Sequence, residues 1–148
     1  MKIGIGSDHA GHNLRREIIK HIENRYQVID YGTCSLESVD YPDYGFTVAQ
    51  AVVDGECDRG IVICGTGIGI SISANKVPGI RAALCTDSFM ARMSREHNDA
   101  NILALGERII GVDLALDIVD VWLKSEFLGG RHKMRVDKIS EIEKRRMG

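Results

Sequence analysis

The stretch GIVICGTGIGISISAN, residues 60–75, runs from an unbroken apolar burst into three glycines at every second position and then into a short segment of helical length. An apolar burst of strand length that ends in glycine and small polar residues reads as a strand with a tight turn after it. The pattern recurs along the chain. Apolar bursts at Lys2–Gly6, Gln27–Asp30, Gly60–Cys64, Arg81–Cys85 and Ile102–Leu105 predict five strands. Between them lie stripes at helical period: Leu14, Ile18, Ile19 and Ile22; then Phe46, Val48, Ala49, Val52 and Val53; then Phe89, Met90 and Met93. Strand–helix alternation over a short chain favours parallel strands, because each helix returns the chain to the same end of the sheet. The expected class is therefore α/β: one domain over residues 1–148, a three-layer α/β/α sandwich around a Rossmann-like five-stranded parallel sheet.

Beyond the fifth burst, Val112–Leu123 is apolar nearly all round, which predicts a helix buried on more than one side, by its own core or by a second subunit. From Gly129 onward the chain is strongly charged with only Val136, Ile139 and Ile142 as a stripe, so a C-terminal helix on the surface is expected.

Composition narrows the function classes. The 148 residues are 44% hydrophobic and 27% charged, an ordinary globular balance with no long apolar stretch of membrane type. A formal charge of −2 gives no global attraction to nucleic acid or anionic lipid, so an anionic ligand needs a local basic cluster. The start, MKIGIGSDHAG, is too short and polar for a secretory signal, and a cytoplasmic address is expected. Cys34, Cys57, Cys64 and Cys85 lack metal-ribbon spacing and are expected to be free thiols.

In an open parallel sheet, ligands bind beyond the carboxyl ends of the strands where the strand order reverses, so the residues after the first and third strands carry the chemistry. These are Ser7–Gly11 and Cys64–Gly69, which should face one crevice. Gly65, Gly67 and Gly69 allow close backbone approach, and the helix start after them points free N–H groups outward, an anion or oxyanion cradle or simply a tight turn. The spacing fits neither a dinucleotide fingerprint nor a phosphate loop with its lysine. Cys64 reads either as a small buried hydrophobe or as a thiolate favoured by the cradle's N–H dipoles. A cysteine phosphatase would place an arginine where Ile70 stands. Asp8 suits substrate binding or helix capping, and His9 beside it suits a ligand. His97 and Asn98 end the fourth helix, where a histidine is a proton carrier or complements the helix terminus. Arg131 and Arg135, four apart, share a helix face and could grip a phosphate or lie in solvent.

Taken together, SDHAG (7–11), DYPDY (40–44), CGTGIGISISANK (64–76), SREHNDANILALGERIIG (94–111) and GGRHKMRV (129–136) resemble the ribose-5-phosphate isomerase B family, which includes the galactose-6-phosphate isomerase subunits. The resemblance spans essentially the whole chain. It implies an aldose–ketose isomerase that needs no metal or other cofactor and interconverts ribose 5-phosphate and ribulose 5-phosphate through an enediolate. Cys64 is then the base, His97 opens the sugar ring, and Thr66 stands with them as catalytic. Gly65, Gly67, Ile68 and Gly69 form the cradle. Asp8, His9, Tyr41, Asn98, Arg108, Arg131 and Arg135 bind substrate, the arginines chiefly at the phosphate. Some relatives carry a glutamate base after the glycine loop, but Ile70 stands in that place here. The resemblance also implies a homodimer, or a tetramer, with each site shared between subunits. A six-carbon aldose 6-phosphate and a non-catalytic sugar-phosphate sensor are the rival readings.

Overall fold

The computed structural model describes residues 1–148. Five strands, β1 (Lys2–Ser7), β2 (Gln27–Asp30), β3 (Arg59–Cys64), β4 (Ala82–Leu84) and β5 (Ile102–Gly106), form one sheet in the order β2-β1-β3-β5-β4. Every pairing is parallel. β3 and β5, with helices on both faces, are buried at every residue, which explains why they read as unbroken apolar runs. The edge strand β4 is shorter than expected. Arg81 leaves it to donate its backbone N–H to the Asn101 side chain.

Helices α1 (His12–Ile22), α4 (Ser88–Glu96) and α5 (Val112–Lys124) cover one face, and α2 (Tyr41–Val53) and α3 (Ile68–Asn75) the other. Leu14, Ile18 and Ile22 bury as expected. In the other stripes only some of the expected residues face inward. On α2 the buried residues are Gly45, Val48, Ala49 and Ala51, while Phe46 is 54% exposed. α2 lies so close to α3 that small residues fill the contact: a side chain at Gly45 would press on the Ile70 carbonyl. On α4, Ala91, Ser94 and Arg95 face inward and Phe89 is 63% exposed. Arg95 is held there by the Ala100 carbonyl, Asp99, and the face of Trp122. Burying a charge requires such partners. α5 buries one side only, Ala115, Ile118, Val119, Trp122 and Leu123, with Val112 and Leu114 exposed.

The last helix, α6 (Arg131–Met147), stands outside the layers with only His132 and Val136 buried. Farther along, Glu143 accepts the Gly79 N–H, so α6 runs past the α3–β4 turn. No helix is long and apolar enough to cross a membrane.

Candidate active site

The strand order creates the crevice. From β1 the chain crosses through α1 to β2 on one side, whereas from β3 it crosses through α3 toward β4 on the other, on the opposite face. The tips of β1 and β3 are therefore neighbours whose onward chains diverge. A cleft of about 560 Å³ opens there, lined by Asp8, His9, Ala10, Tyr41, Cys64, Gly65, Thr66, Ile68, Gly69, Ile72 and Arg108.

Cys64 forms its floor, 5% exposed, packed below against the α2–α3 side of the core. It is a core side chain whose sulfur reaches the cleft. The Gly67 N–H points at Sγ from 3.1 Å, a hydrogen bond stronger to a thiolate than to a thiol. That direction depends on Gly67 adopting φ +80°, a left-handed conformation natural to glycine. Gly69 lies directly under the Tyr41 ring, where any side chain would overlap the ring carbons. Thr66 is exposed, its Oγ1 accepting the Ile68 N–H. Ile70 is fully buried in the core and does not line the cleft.

The third wall comes from the turn after β5. The Glu107 and Arg108 N–H groups donate to the carbonyls of Cys64 and Gly65, and the Arg108 guanidinium lies beside Gly65. The Glu107 carboxylate accepts the Leu14 N–H at the first turn of α1, tying that helix to the site.

Asp8 caps the turn after β1: its Oδ1 accepts the Ala10 and Gly11 N–H groups. Capping and ligand binding need not compete, because no protein donor reaches Oδ2. His9 accepts the Val39 N–H at Nδ1, so that nitrogen carries no proton and the neutral ring holds its hydrogen on Nε2. Sequence reading did not find the network behind it. Arg15, buried in α1, donates to Ser7 Oγ at 2.6 Å and to the Thr33 carbonyl, and pairs with Asp30 at 3.1 Å. It joins the β1 tip to the loop that carries Val39 over His9.

His97, Asn98, Arg131 and Arg135 are not in this cleft. α4 runs down from the β4 tip, and His97 follows its last residue below the start of β5. β5 then climbs five residues before Gly106 pairs with Cys64. At about 3.3 Å per residue, His97 lies roughly 15 Å below the thiol, beyond side-chain reach. A second cluster forms there: His132 stacks on His97 with ring centroids 4.1 Å apart, flanked by Arg131 and Arg135. Burial and these neighbouring positive charges push His132 below the usual histidine range, with Glu96 opposing. His132 was missed because a histidine between basic residues in a charged tail reads as solvated.

The upper cleft offers a thiol, backbone and hydroxyl donors, and an arginine, groups of the kinds that can move a proton next to a carbonyl and hold charge on oxygen. The lower cluster offers two imidazoles and two guanidinium groups.

The chain is similar in sequence and fold to known sugar-phosphate isomerases. A solved ribose-5-phosphate isomerase B from Clostridium thermocellum is 75% identical, covers 98% of this chain and 99% of its own, and superposes with a TM-score of 0.97. Ribose-5-phosphate isomerase B of Escherichia coli is 53% identical over 146 residues, 98% of each chain. The Mycoplasma genitalium ribose-5-phosphate isomerase B, solved with bound ribulose 5-phosphate, is 42% identical over 97% of this chain and 96% of its own, with a TM-score of 0.92. The profile described as Ribose/Galactose Isomerase matches residues 3–139, from the first strand into the last helix, and the chain belongs to that family.

Proposed function

We propose that this protein interconverts ribose 5-phosphate and ribulose 5-phosphate, with Cys64 as the base. The observation that carries the reading is the thiol on the cleft floor facing the Gly67 N–H at 3.1 Å. The thiolate takes the proton from C2 of the open-chain aldose, and the carbonyl electrons move to O1, forming an enediolate. A proton then passes from O2 to O1, the thiol returns its proton to C1, and the carbonyl stands at C2. The Gly65–Gly69 backbone and the Thr66 hydroxyl hold the oxygens; each such donor is worth about 3 kcal/mol in acyl-transfer enzymes. Asp8, His9 and Tyr41 bind the sugar, with Arg108 at its charged end. No step calls for a metal or redox group.

The sugar enters as a closed furanose. Opening it removes a proton from the C1 hydroxyl, breaks the C1–O4 bond with its electrons going to O4, and adds a proton to O4; His97, as a neutral imidazole, takes the first proton and supplies the second. Because His97 lies far below the thiol of its own chain, the complete site needs a second copy. The homodimer brings one subunit's His97, Asn98, Arg131 and Arg135 to its partner's Cys64 cleft. The 43% identical D-erythrulose-4-phosphate isomerase of Pectobacterium atrosepticum keeps other sugar phosphates open as a second reading.

The test is turnover of ribose 5-phosphate by chelator-treated protein beside Cys64→Ala. A positioned general base contributes about 10² to 10⁴ in rate, so the variant should lose at least that while folding normally. Near-normal turnover by Cys64→Ala would remove the thiol from the mechanism. Faster turnover of four- or six-carbon aldose phosphates by the wild type would replace the substrate.

A further inference from the structure

The stacked pair at the foot of the sheet has a construction of its own. The His97 and His132 rings are nearly parallel, 10° apart, at 4.1 Å between centroids. His132 is 8% exposed, while Arg131 and Arg135 on the same helix are exposed. The connection from α5 leads to this contact. Ser125 accepts from Arg95 through its carbonyl, and the Leu128 N–H donates to the Glu96 carbonyl, which lays residues 125–128 along the end of α4. Gly129 and Gly130 then turn the chain with φ +69° and +56°. No atom lies within 4 Å of where their side chains would stand, so backbone conformation, not space, is the reason for the glycine pair. The turn sets the first residues of α6 against His97.

The geometry points to His132 as a positioning residue for ring opening: its face fixes the plane of the His97 imidazole, so that the nitrogen exchanging protons with the sugar is presented in one orientation. The inference rests on the reading of His97 as the proton carrier. Face-to-face rings do not hydrogen-bond to each other, because their nitrogens point along the ring planes. Stacking therefore restrains His97 without occupying the nitrogens it needs. It also disfavours charge on both rings at once, since two imidazolium faces in contact repel. Arg131 and Arg135 also disfavour charge on His132, and Glu96 acts against them.

Ribulose 5-phosphate supplies the discriminating assay. Its C5 oxygen is esterified, so it forms no furanose, and the aldehyde made from it can leave and close in solution. Ring opening is thus required with ribose 5-phosphate and not with ribulose 5-phosphate. His132→Ala, His132→Phe and His97→Asn are each assayed with both sugars. Misplacing a catalytic group by about 1 Å costs up to roughly a hundredfold, so His132→Ala should lower kcat on ribose 5-phosphate by roughly ten- to a hundredfold, with little change on ribulose 5-phosphate. His132→Phe, which keeps a flat ring in the stack, should restore most of that loss. Equal losses with both sugars, or no loss with either, would overturn the positioning role. If His97→Asn shows no difference between the two sugars, the reading of His97 fails instead. An effect of His97→Asn without one of His132→Ala refutes His132 alone.

Discussion

Replacing Gly67 by alanine isolates the turn that aims a backbone N–H at Cys64. Two costs add at this position. An L-residue at φ +80° is disfavoured by about 1–2 kcal/mol, of which the stiffer unfolded chain returns about 0.4–1 kcal/mol. The new methyl would also lie 2.5 Å from Leu84 Cδ1 and 2.8 Å from the Leu105 carbonyl carbon, and β5 backbone in the middle of a sheet has no room to yield. Overpacking of this kind costs about 1–3 kcal/mol. The sum is about 1–4.5 kcal/mol, or a fall in Tm of roughly 2–18 °C for a chain of this length. Relief of the overlap should swing the 67 N–H away from Cys64 Sγ, so activity should fall beyond what the stability loss explains. Gly55→Ala is the control, because Gly55 has φ +79° with nothing within 4 Å and carries the conformational cost alone. Urea unfolding and initial rates on ribose 5-phosphate, measured on folded protein, give both numbers. Equal stability losses for the two variants, with Gly67→Ala keeping normal turnover, would refute the steric reasoning and the role of the N–H.

Thiol labelling of the native protein should modify exposed Cys34 and leave Cys57 and Cys85 intact until denaturation, since burial raises both and pushes Cys85 up to about 11; peptide mapping that finds either modified under native conditions would contradict their packing. Asp120 links α5 to α1: burial pushes its carboxyl up, but hydrogen bonds from Arg25 and His21 outweigh this and hold it below the usual range. A depressed carboxylate stabilises the fold above its unfolded value of about 4 and loses that contribution as pH falls through the lower folded value. Asp120→Asn should therefore flatten the loss of Tm as pH falls below about 4, and an unchanged acid slope would show the pair contributes nothing.

Much of this molecule was legible in the chain. β1, β3 and β5 announced themselves because strands covered on both faces must be apolar throughout, and the glycines after β3 marked the turn that holds Cys64. The rule that ligands gather where strand order reverses placed Asp8, His9 and Cys64 in one cleft before any coordinates. The inward faces of α2 and α4 were not legible. Hydrophobicity favoured Phe46 and Phe89, but the packing distance between neighbouring helices admits Gly45 and Ala91 and turns the large rings outward. A buried Arg15 or Arg95 is likewise invisible to a hydrophobic pattern, since what stabilises it is a set of carbonyls and carboxylates from distant segments.

The sequence by itself determined the layers, the strand-tip thiol and the glycine cradle, because each follows from local periodicity and turn chemistry. Only the tertiary structure decided that His97, Arg131 and Arg135 stand at the opposite end of the sheet from that thiol, and that His132 joins them. The reason is directional: a helix between parallel strands must run back down, so a residue at its end lies a full strand length from the tips where the cleft opens.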